Sequence, residues 1–554
     1  MTASRAAWPL AALRIVAPYL VVLVQRHLDC LYILQLERYR HDRFGRWLAG
    51  HVGQLVPRRE VAIQALTAFL AAAAASQQAP GVLLYLLWVA GGILPLRAQR
   101  SLQVSQRLSW TARAVRVSVA SWLVSGMLGW ATGRMAGILL ASWLDLTGRL
   151  WLGGIVGVAF AGLFMPGSVR LAARLLGPLE SAIARRFLRQ AAARMAGFPG
   201  KVIGITGSYG KTTTKHIVAE LLAVRYRVFK TPAGVNTTMG IIRVIREELS
   251  DEHEMFVVEA SAYGPGEIRE VCDIVHPRLA ILTSVGVQHL ERFGTPERIA
   301  EAKYELIASL PPGGPAVINA DDPTCLRLAE RARADGKRVL LYGLEERAGL
   351  ALHGAILRVS RQGTEFRAAA ASGESAEFAT RLLGRWNISN VLAGLEAGVE
   401  CGISLAAMRE AVAALTPAPR RLEIQEAGGI VRILDVANAN PRGAEMALEV
   451  LGQFQGGARI LITPGMVELG PIEAEENYRF GERAASVCDR VVLVGPKQTA
   501  PIRQGLLDRG FPAERIVTVR QAQEVADQLA GVVRPGDILL YENRLPDTYL
   551  EVGP

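Results

Sequence analysis

Four apolar stretches, at residues 61–76, 81–96, 117–144 and 151–166, dominate the first third of the chain, and the charges around them are almost all arginine. A bilayer span needs ~20 mainly apolar residues and ~17 at the short end, so these runs read as membrane helices. The first two are short, but their junction, Gln77-Gln78-Ala79-Pro80, carries no charge and suits a tight helical hairpin. The third contains Arg134, which at mid-membrane must snorkel or face a partner such as Asp145.

Residues 1–200 hold 22 Arg, no Lys and 6 Asp or Glu, a net +16 against +11 for all 554 residues, so the remainder is net negative. A basic total usually raises nucleic acid as a partner. Here the arginines flank apolar runs and form no patch on a soluble domain, so no nucleic-acid partner is expected and the charge is a topology signal. Arg38, Arg40, Arg43, Arg46, Arg58 and Arg59 precede the first run. Arg97, Arg100, Arg107, Arg113 and Arg116 separate the second from the third, and Arg170, Arg174, Arg185, Arg186, Arg189 and Arg194 follow the fourth. The positive-inside rule then makes this a multi-pass membrane region with both termini in the cytoplasm. Residues 9–36, broken by Arg14, Arg26 and Asp29, read as an interfacial helix, and residues 171–196 as a basic amphipathic helix on the inner leaflet or a solvated linker. No signal-peptide pattern opens the chain. The five cysteines, Cys30, Cys272, Cys325, Cys401 and Cys488, form no CxxC pair, which excludes a disulfide scaffold and a zinc ribbon.

From Lys201 the pattern changes. A β-branched run ending at Thr206 leads into Gly207-Ser208-Tyr-Gly210-Lys211-Thr212-Thr213-Thr214 and then a helical pattern. Strand, glycine loop and helix are the geometry in which backbone N–H groups and a helix N-terminus cradle phosphates. Lys211 would bridge terminal phosphates and Thr212 would reach Mg²⁺; the competing reading is a chance glycine turn. Ile205 occupies the first glycine position of the general Walker pattern, so the spacing is a variant.

Read as GxxGxxGKTT, the loop resembles that of the Mur ligase superfamily, the ATP-dependent amide-forming enzymes of cell-wall precursors and folate polyglutamates. Thr231-Pro-Ala-Gly-Val-Asn236-Thr237 is similar to the family's substrate-proximal loop, and Val257-Val-Glu259 to the strand that ends in an acidic metal ligand. The segment from Thr283 through His289 to Gly294, followed by Ala302-Lys303-Tyr-Glu-Leu, resembles the family's most specific signature. The resemblance covers roughly residues 200–550 and says nothing of residues 1–200.

The resemblance implies a P-loop central domain and a Rossmann-like C-terminal domain, an α/β architecture behind the membrane helices. It implies Thr212, Glu259, His289 and Lys303 as metal ligands, with Lys303 carbamylated to carry a carboxylate, and Lys211, Glu259, His289 and Lys303 as the catalytic set. Alone, His289 would be a structural hydrogen-bonder and Lys303 a solvated helix lysine. Asn236 and Thr237 would meet substrate, and Gly207, Ser208, Gly210, Lys211, Thr212 and Thr213 the nucleotide. Gly384-Arg-Trp386-Asn387-Ile-Ser-Asn390 resembles the helix start near the adenine, with Trp386 in place of the usual His; the asparagines could otherwise be N-caps. Asp321-Asp322-Pro323 is either a weak site candidate or a turn.

Pro417-Ala-Pro419 marks a boundary. Beyond it Arg421 matches an arginine that reaches ATP phosphates, Asp435 an acid near the ribose, and Asn438 and Asn440 substrate contacts. The Asn438-Ala-Asn440-Pro block and Gly465-Met-Val-Glu-Leu-Gly470 are closest to the branch that adds D-alanyl-D-alanine to UDP-MurNAc-tripeptide. Two departures stand out: membrane helices replace the UDP-sugar domain, and Tyr541-Glu542-Asn543-Arg544 stands where the branch has a strand ending in Lys-Gly-Ser. The expected division is 1–168 membrane region, 169–199 linker helix, 200–417 central domain and 418–554 C-terminal domain. The expected activity is amide formation through an acyl phosphate, with ATP and Mg²⁺, between a carboxylate-bearing cell-wall or lipid-linked precursor and an amino-acid or dipeptide amine; phosphoryl transfer to a carboxylate gathers anions, so the work is charge neutralisation and positioning. A poly-γ-glutamate-type synthase and a non-catalytic nucleotide-binding membrane partner are the rivals; no transporter signature accompanies the loop. Oligomeric state is not legible.

Overall fold

The computed structural model describes residues 7–56, 59, 61–62, 108–139, 146–360, 362–417, 420–436 and 439–545. Nearly all of the first two apolar stretches, their junction, Arg58, the arginines from 97 to 107, Asp145, Pro419 and Asn438 lie outside the described residues. Two compact units part between Ile183 and Ala184.

The first unit contains α1 (Ala7–Leu36), α2 (His41–Leu55), α3 (Ala112–Leu139), α4 (Leu146–Leu163), α5 (Met165–Leu175) and the start of α6 (Gly177–Ala196). Among the described residues α3 is the one helix long and apolar enough to cross a membrane. The second half of α4 and α5 meet that test only together, bent by 63°. Pro166 lies in the first turn of α5, where its missing N–H is tolerated but a continuous helix is not. Gly129 and Gly133 of α3 pack on Gly153 and Gly157 of α4; a Cβ on Gly133 would lie 2.3 Å from the Gly153 carbonyl oxygen. This small-xxx-small spacing lets the backbones meet. The opposite side of α3 exposes Val119, Leu123, Met127, Trp130 and Ile138, and Arg134 is also exposed.

The expectation for residues 9–36 needs correction. From Val22 to Leu34 most side chains of α1 are buried within the helical unit, so this part is no surface helix. Arg26 is fully buried, and its guanidinium donates to the carbonyls of Leu55 (2.9 Å) and Gly162 (2.7 Å), at the C-terminal ends of α2 and α4. Those carbonyls lack intrahelical partners and carry the negative end of the helix dipole, which is why a cation settles there. The basic helix expected over 171–196 is likewise two helices, broken at Leu176 before Gly177-Pro178. Its final turns belong to the second unit, where Ala191 and Met195 pack into the core.

The second unit holds two sheets. Its first part runs β1 (Lys201–Thr206), α7 (Lys211–Leu222), β2 (Val228–Lys230), α8 (Thr238–Glu247), β3 (Met255–Glu259), α9 (Glu267–Val275), β4 (Leu279–Leu282), α10 (Leu290–Phe293), α11 (Pro296–Ala308), β5 (Pro315–Asn319), α12 (Pro323–Ala334), β6 (Arg338–Gly343), β7 (Leu350–Ser360), β8 (Gly363–Ala370), β9 (Ser375–Thr380), α13 (Arg385–Glu400) and α14 (Arg409–Ala414). The strand order is β2-β3-β1-β4-β5-β6-β7-β8-β9, parallel through β7 and antiparallel thereafter. Both faces of the parallel part are covered, one by Ile241, Ile268, Tyr304 and Cys325 from α8, α9, α11 and α12, the other by Leu221, Leu392 and Leu395 from α7 and α13. Burial on both sides explains why these strands are continuous apolar runs and not alternating ones.

The second part runs β10 (Glu423–Ala427), β11 (Ile430–Asp435), α15 (Pro441–Gly452), β12 (Arg459–Thr463), α16 (Glu473–Val487), β13 (Arg490–Val494), α17 (Ala500–Asp508), β14 (Ile516–Val519), α18 (Glu524–Leu529) and β15 (Ile538–Glu542). Its order is β10-β11-β15-β12-β13-β14, parallel except for the β10–β11 hairpin. Ligands of such open sheets bind outside the carboxyl ends of the strands, and the residues discussed below gather there.

Replacing Gly133 with Val would force α3 and α4 apart. We expect a loss of about 1–3 kcal/mol for such overpacking, read as a lower melting temperature of the full chain in detergent; an unchanged transition would contradict the packing described.

Candidate active site

The loop after β1 is held by its own short contacts. Gly210 caps α7 in a left-handed conformation (φ 77°), and a Cβ there would sit 2.5 Å from Asn390 Oδ1. At Gly207 the limit is space, since a Cβ would lie 2.1 Å from Thr283 Oγ1. Both positions therefore require glycine. Gly286 N donates to Ser208 Oγ (3.0 Å), which donates back to Gly286 O (2.9 Å). Lys211 Nζ folds back onto Ser208 O (2.8 Å), and burial pushes its ammonium down to about 8. With Thr213 buried behind it, the N-terminus of α7 is a rigid set of N–H donors for an anion.

Glu259 ends β3, paired in register with Ile205 of β1, and is 1% exposed. Thr212 Oγ1 donates to both of its oxygens (3.1 and 3.0 Å), Asn236 Nδ2 donates at 3.1 Å, and Lys215 Nζ lies 3.0 Å away. Burial alone would raise this carboxyl; Lys215, Lys211 and the hydrogen bonds outweigh it and hold Glu259 below its ordinary value. Lys215, itself buried and donating to Pro232 O (3.2 Å), was missed from sequence. The signal was there: it stands one helical turn after Lys211 and so shares its face. Thr237, expected at the substrate, instead caps α8 by accepting from Gly240 N at 3.3 Å.

His289 precedes α10 with φ 60°, and its Nδ1 is bonded to Glu468 Oε2 from the loop after β12. Glu468 Oε1 accepts from Arg292 Nη2 (3.0 Å). Burial holds the imidazole below its ordinary value, while His289 and Arg292 overcome burial to keep Glu468 ionised. Lys303, on α11 and 3% exposed, is pushed down to about 7 by burial and by the charge of Lys211. Its ammonium lies 5.8 Å from the Phe293 ring centre and donates no hydrogen bond among the described residues.

Among the described residues no three His, Cys, Asp or Glu side chains form a ready metal cage. What is present is a buried carboxylate and a hydroxyl, Glu259 and Thr212. That pair suits Mg²⁺, which takes one or two protein oxygens and completes its octahedron with phosphates and water. His289 offers Nε2, whereas Lys303 as a free amine is no oxygen ligand.

Gly210, Thr213, Trp386, Asn387 and Asn390 line one cleft with Arg421, Asp435, Asn440 and Arg442 of the second sheet's part. The Arg442 guanidinium stacks 4.7 Å from the Trp386 ring centre. Burial pushes Asp435 up to about 6 against the pull of Arg421. Asn390 accepts from Thr214 Oγ1 (3.1 Å) and Asn387 donates to Leu383 O (2.8 Å); Gly384 caps α13, so neither asparagine is its N-cap. Asn440, by contrast, caps α15 by accepting from Gly443 N (2.8 Å). Asp322 caps α12 and Asp321 accepts from Leu344 N and Glu345 N, so both do turn work.

Two family models match, the Mur ligase middle domain at residues 205–398 and the Mur ligase, glutamate ligase domain at residues 420–541. The UDP-N-acetylmuramoyl-tripeptide–D-alanyl-D-alanine ligase of Escherichia coli is 31% identical over 332 residues, covering 60% of this chain and 72% of the relative. That of Bacillus subtilis is 29% identical over 345 residues, covering 62% and 72%. The crystal structure of the MurF ligase from Thermotoga maritima in complex with ADP superposes with a TM-score of 0.58 at 27% identity, over 66% of this chain and 81% of that one.

Glu259→Gln should leave Lys215 buried without a counter-charge and cost about 3–5 kcal/mol in urea unfolding, part of it recovered by adding Lys215→Met. Because the folded carboxyl titrates below its unfolded value near 4.3, the stability it contributes is complete above about pH 5 and lost as pH falls through the folded value. Additive effects of the two substitutions would contradict the pairing.

Proposed function

The chain belongs to the Mur ligase family of ATP-dependent amide ligases, and from that premise we propose that it is a membrane-anchored ligase joining a carboxylate-bearing cell-wall or lipid-linked precursor to an amino-acid or dipeptide amine. ATP and Mg²⁺ are the family's requirements. One observation carries the reading: Lys211 and Lys215 act directly on the buried carboxylate Glu259, Lys303 lies close enough to feel Lys211 and Glu259 along with Glu267 and Glu305, and Arg421 adds its charge beside Lys211. A site so rich in buried cations is built for anions, and ATP together with a substrate carboxylate supplies them.

In this reading the N-terminus of α7 and Lys211 hold the terminal phosphates, and Thr212 and Glu259 hold Mg²⁺. The metal, when bound, neutralises phosphate charge. The Lys303 ammonium, whose buried amine is held near neutrality, would lose one proton, and the free amine would then add CO₂ to form a carbamate with release of a second proton, placing a carboxylate beside His289. An oxygen of the substrate carboxylate attacks the γ-phosphorus and ADP leaves. The incoming amine then attacks the acyl carbon, and phosphate leaves as the amine sheds its proton. Arg421 and Asp435 close on the nucleotide from the second sheet's part.

The membrane part of the proposal comprises about four helices within residues 1–168, an inner-membrane location and a cytoplasmic catalytic region in place of a UDP-sugar domain. It is supported by the arginine distribution, the exposed apolar side of α3 and the glycine packing of α3 on α4. The amine is left at class level for a structural reason. Where the D-alanyl-D-alanine branch ends a strand in Lys-Gly-Ser, β15 ends in Glu542, buried, accepting from Thr463 Oγ1 (2.6 Å) and pushed by burial up to about 8.

The test is phosphate release by the detergent-purified full chain with MgATP, pools of amines and a membrane-lipid extract. We expect release that needs both an amine and the extract, reduced at least about 100-fold in Lys211→Ala and Lys303→Ala. ATP binding with no amine-dependent release in any pool would favour the non-catalytic partner. Resistance of the chain to alkaline extraction from membranes checks the anchor. A truncation should begin at residue 184 and not 201, because Ala191 and Met195 are core residues of the second unit.

A further inference from the structure

The loop at residues 465–470 follows β12 and is fixed by side chains from two other segments, Asn477 and Asn543. Met466 N donates to Asn477 Oδ1 and Asn477 Nδ2 donates back to Met466 O, both at 2.9 Å, pinning the loop to α16. This support holds Glu468 at φ 66°, a left-handed conformation that is unfavourable for a non-glycine residue. His289 opposite it is left-handed too, at φ 60°. Strain of this kind persists only where the surroundings over-determine it, and it gathers at functional sites.

Three contacts fasten the pair. Glu468 Oε2 meets His289 Nδ1, Oε1 accepts from Arg292 Nη2 (3.0 Å), and the Glu468 carbonyl accepts from Glu291 N (3.2 Å). The Tyr263 ring packs tilted against the imidazole, its centre 4.6 Å from that of His289. An ionised carboxylate can only accept, so the Nδ1 of His289 must carry the proton and a neutral ring then presents a bare Nε2. The residue arrives from the C-terminal sheet's part, whereas His289, Arg292 and Lys303 belong to the central one.

We propose that Glu468 is a positioning residue of the ligase: it fixes the tautomer and orientation of His289, so that the Nε2 ligand is ready only when the C-terminal domain is seated. This rests on the ligase reading above. The partner of a ligating histidine sets which nitrogen is free and typically changes metal affinity or activity 10–100-fold, here from outside the domain that holds the histidine.

Glu468→Gln separates positioning from mere stapling. The side chain keeps its shape, but its amide would donate to Nδ1 and drive the His289 proton to Nε2. In the full chain without metal or nucleotide, nitrogen NMR of histidine-labelled protein should show the His289 signals, identified by their loss in His289→Gln, changing from the Nδ1-protonated to the Nε2-protonated pattern. The variant should melt with the parent, and amine-dependent phosphate release should fall about 10–100-fold in kcat with KM for ATP within about threefold. Glu468→Ala, which removes the acceptor without supplying a donor, should leave a mixed pattern and a lower melting temperature. The same His289 pattern in parent and Glu468→Gln, or a changed pattern with parental kcat, would overturn the proposal. A parent with no amine-dependent release would instead sink the ligase reading, a failure visible without any variant.

Discussion

One buried carboxylate, Glu259, organises the phosphate-loop side of the catalytic unit. Glu259 sits at the carboxyl end of β3 beside β1, out of water, and stays ionised because Lys215, Thr212 and Asn236 all serve it. The partners come from two places: Thr212 and Lys215 from α7, Asn236 from the loop before α8. Leaving a buried charge unpaired costs several kcal/mol, so the phosphate loop, the strand end and the substrate-side loop are constrained together. The same contacts keep Thr212 in place, and the Ser208 carbonyl keeps Lys211, before any ligand arrives, which is preorganisation in the sense that matters for phosphoryl transfer.

A second tie, from Glu468 to His289 and Arg292, reaches across the unit and makes the two sheets one machine. The first cluster is local to the central sheet, and the second requires both sheets. The cleft that joins Asn387 and Asn390 to Arg421 and Asp435 has the same character, since neither side alone surrounds a nucleotide. The Arg442–Trp386 stack closes one wall of it, a cation–π contact made possible by tryptophan in a position where the family usually has histidine.

The helical unit meets the opposite problem, charges among apolar residues. Arg26 solves it by taking the spare carbonyls at the ends of α2 and α4, and Arg116 by a two-pronged pair with Glu180 (2.6 and 2.9 Å). Interruption of a hydrophobic run by arginine therefore does not by itself push a helix to a surface. A helix end (for Arg26) or a carboxylate (for Arg116) can hold it inside, and a sequence pattern does not show where either lies in space.

Much was legible from residue order. Periodicity and glycine placement locate β1, the phosphate loop and α7, and the strand-like runs at residues 459–463, 490–494, 515–519 and 537–541 lie within a residue of β12, β13, β14 and β15, because strands buried on both faces must be continuous apolar runs. Lys211 and Thr212 are legible from the spacing of the glycine loop, whose local chain geometry places them, whereas Glu259, His289 and Lys303 come only from the resemblance to the family. Other assignments needed the fold. Thr237 and Asn440 carry side chains that suit either a substrate or a helix cap, and only the backbone path shows that both cap. Lys215 and Glu468 passed unnoticed because their importance lies in partners 44 and 179 residues away. Sequence alone determined the strand–loop–helix chemistry, which is set by neighbours along the chain. Tertiary structure alone decided which buried charges are paired and which nitrogen of His289 is left bare, because burial and pairing depend on what distant segments bring to the same few ångströms.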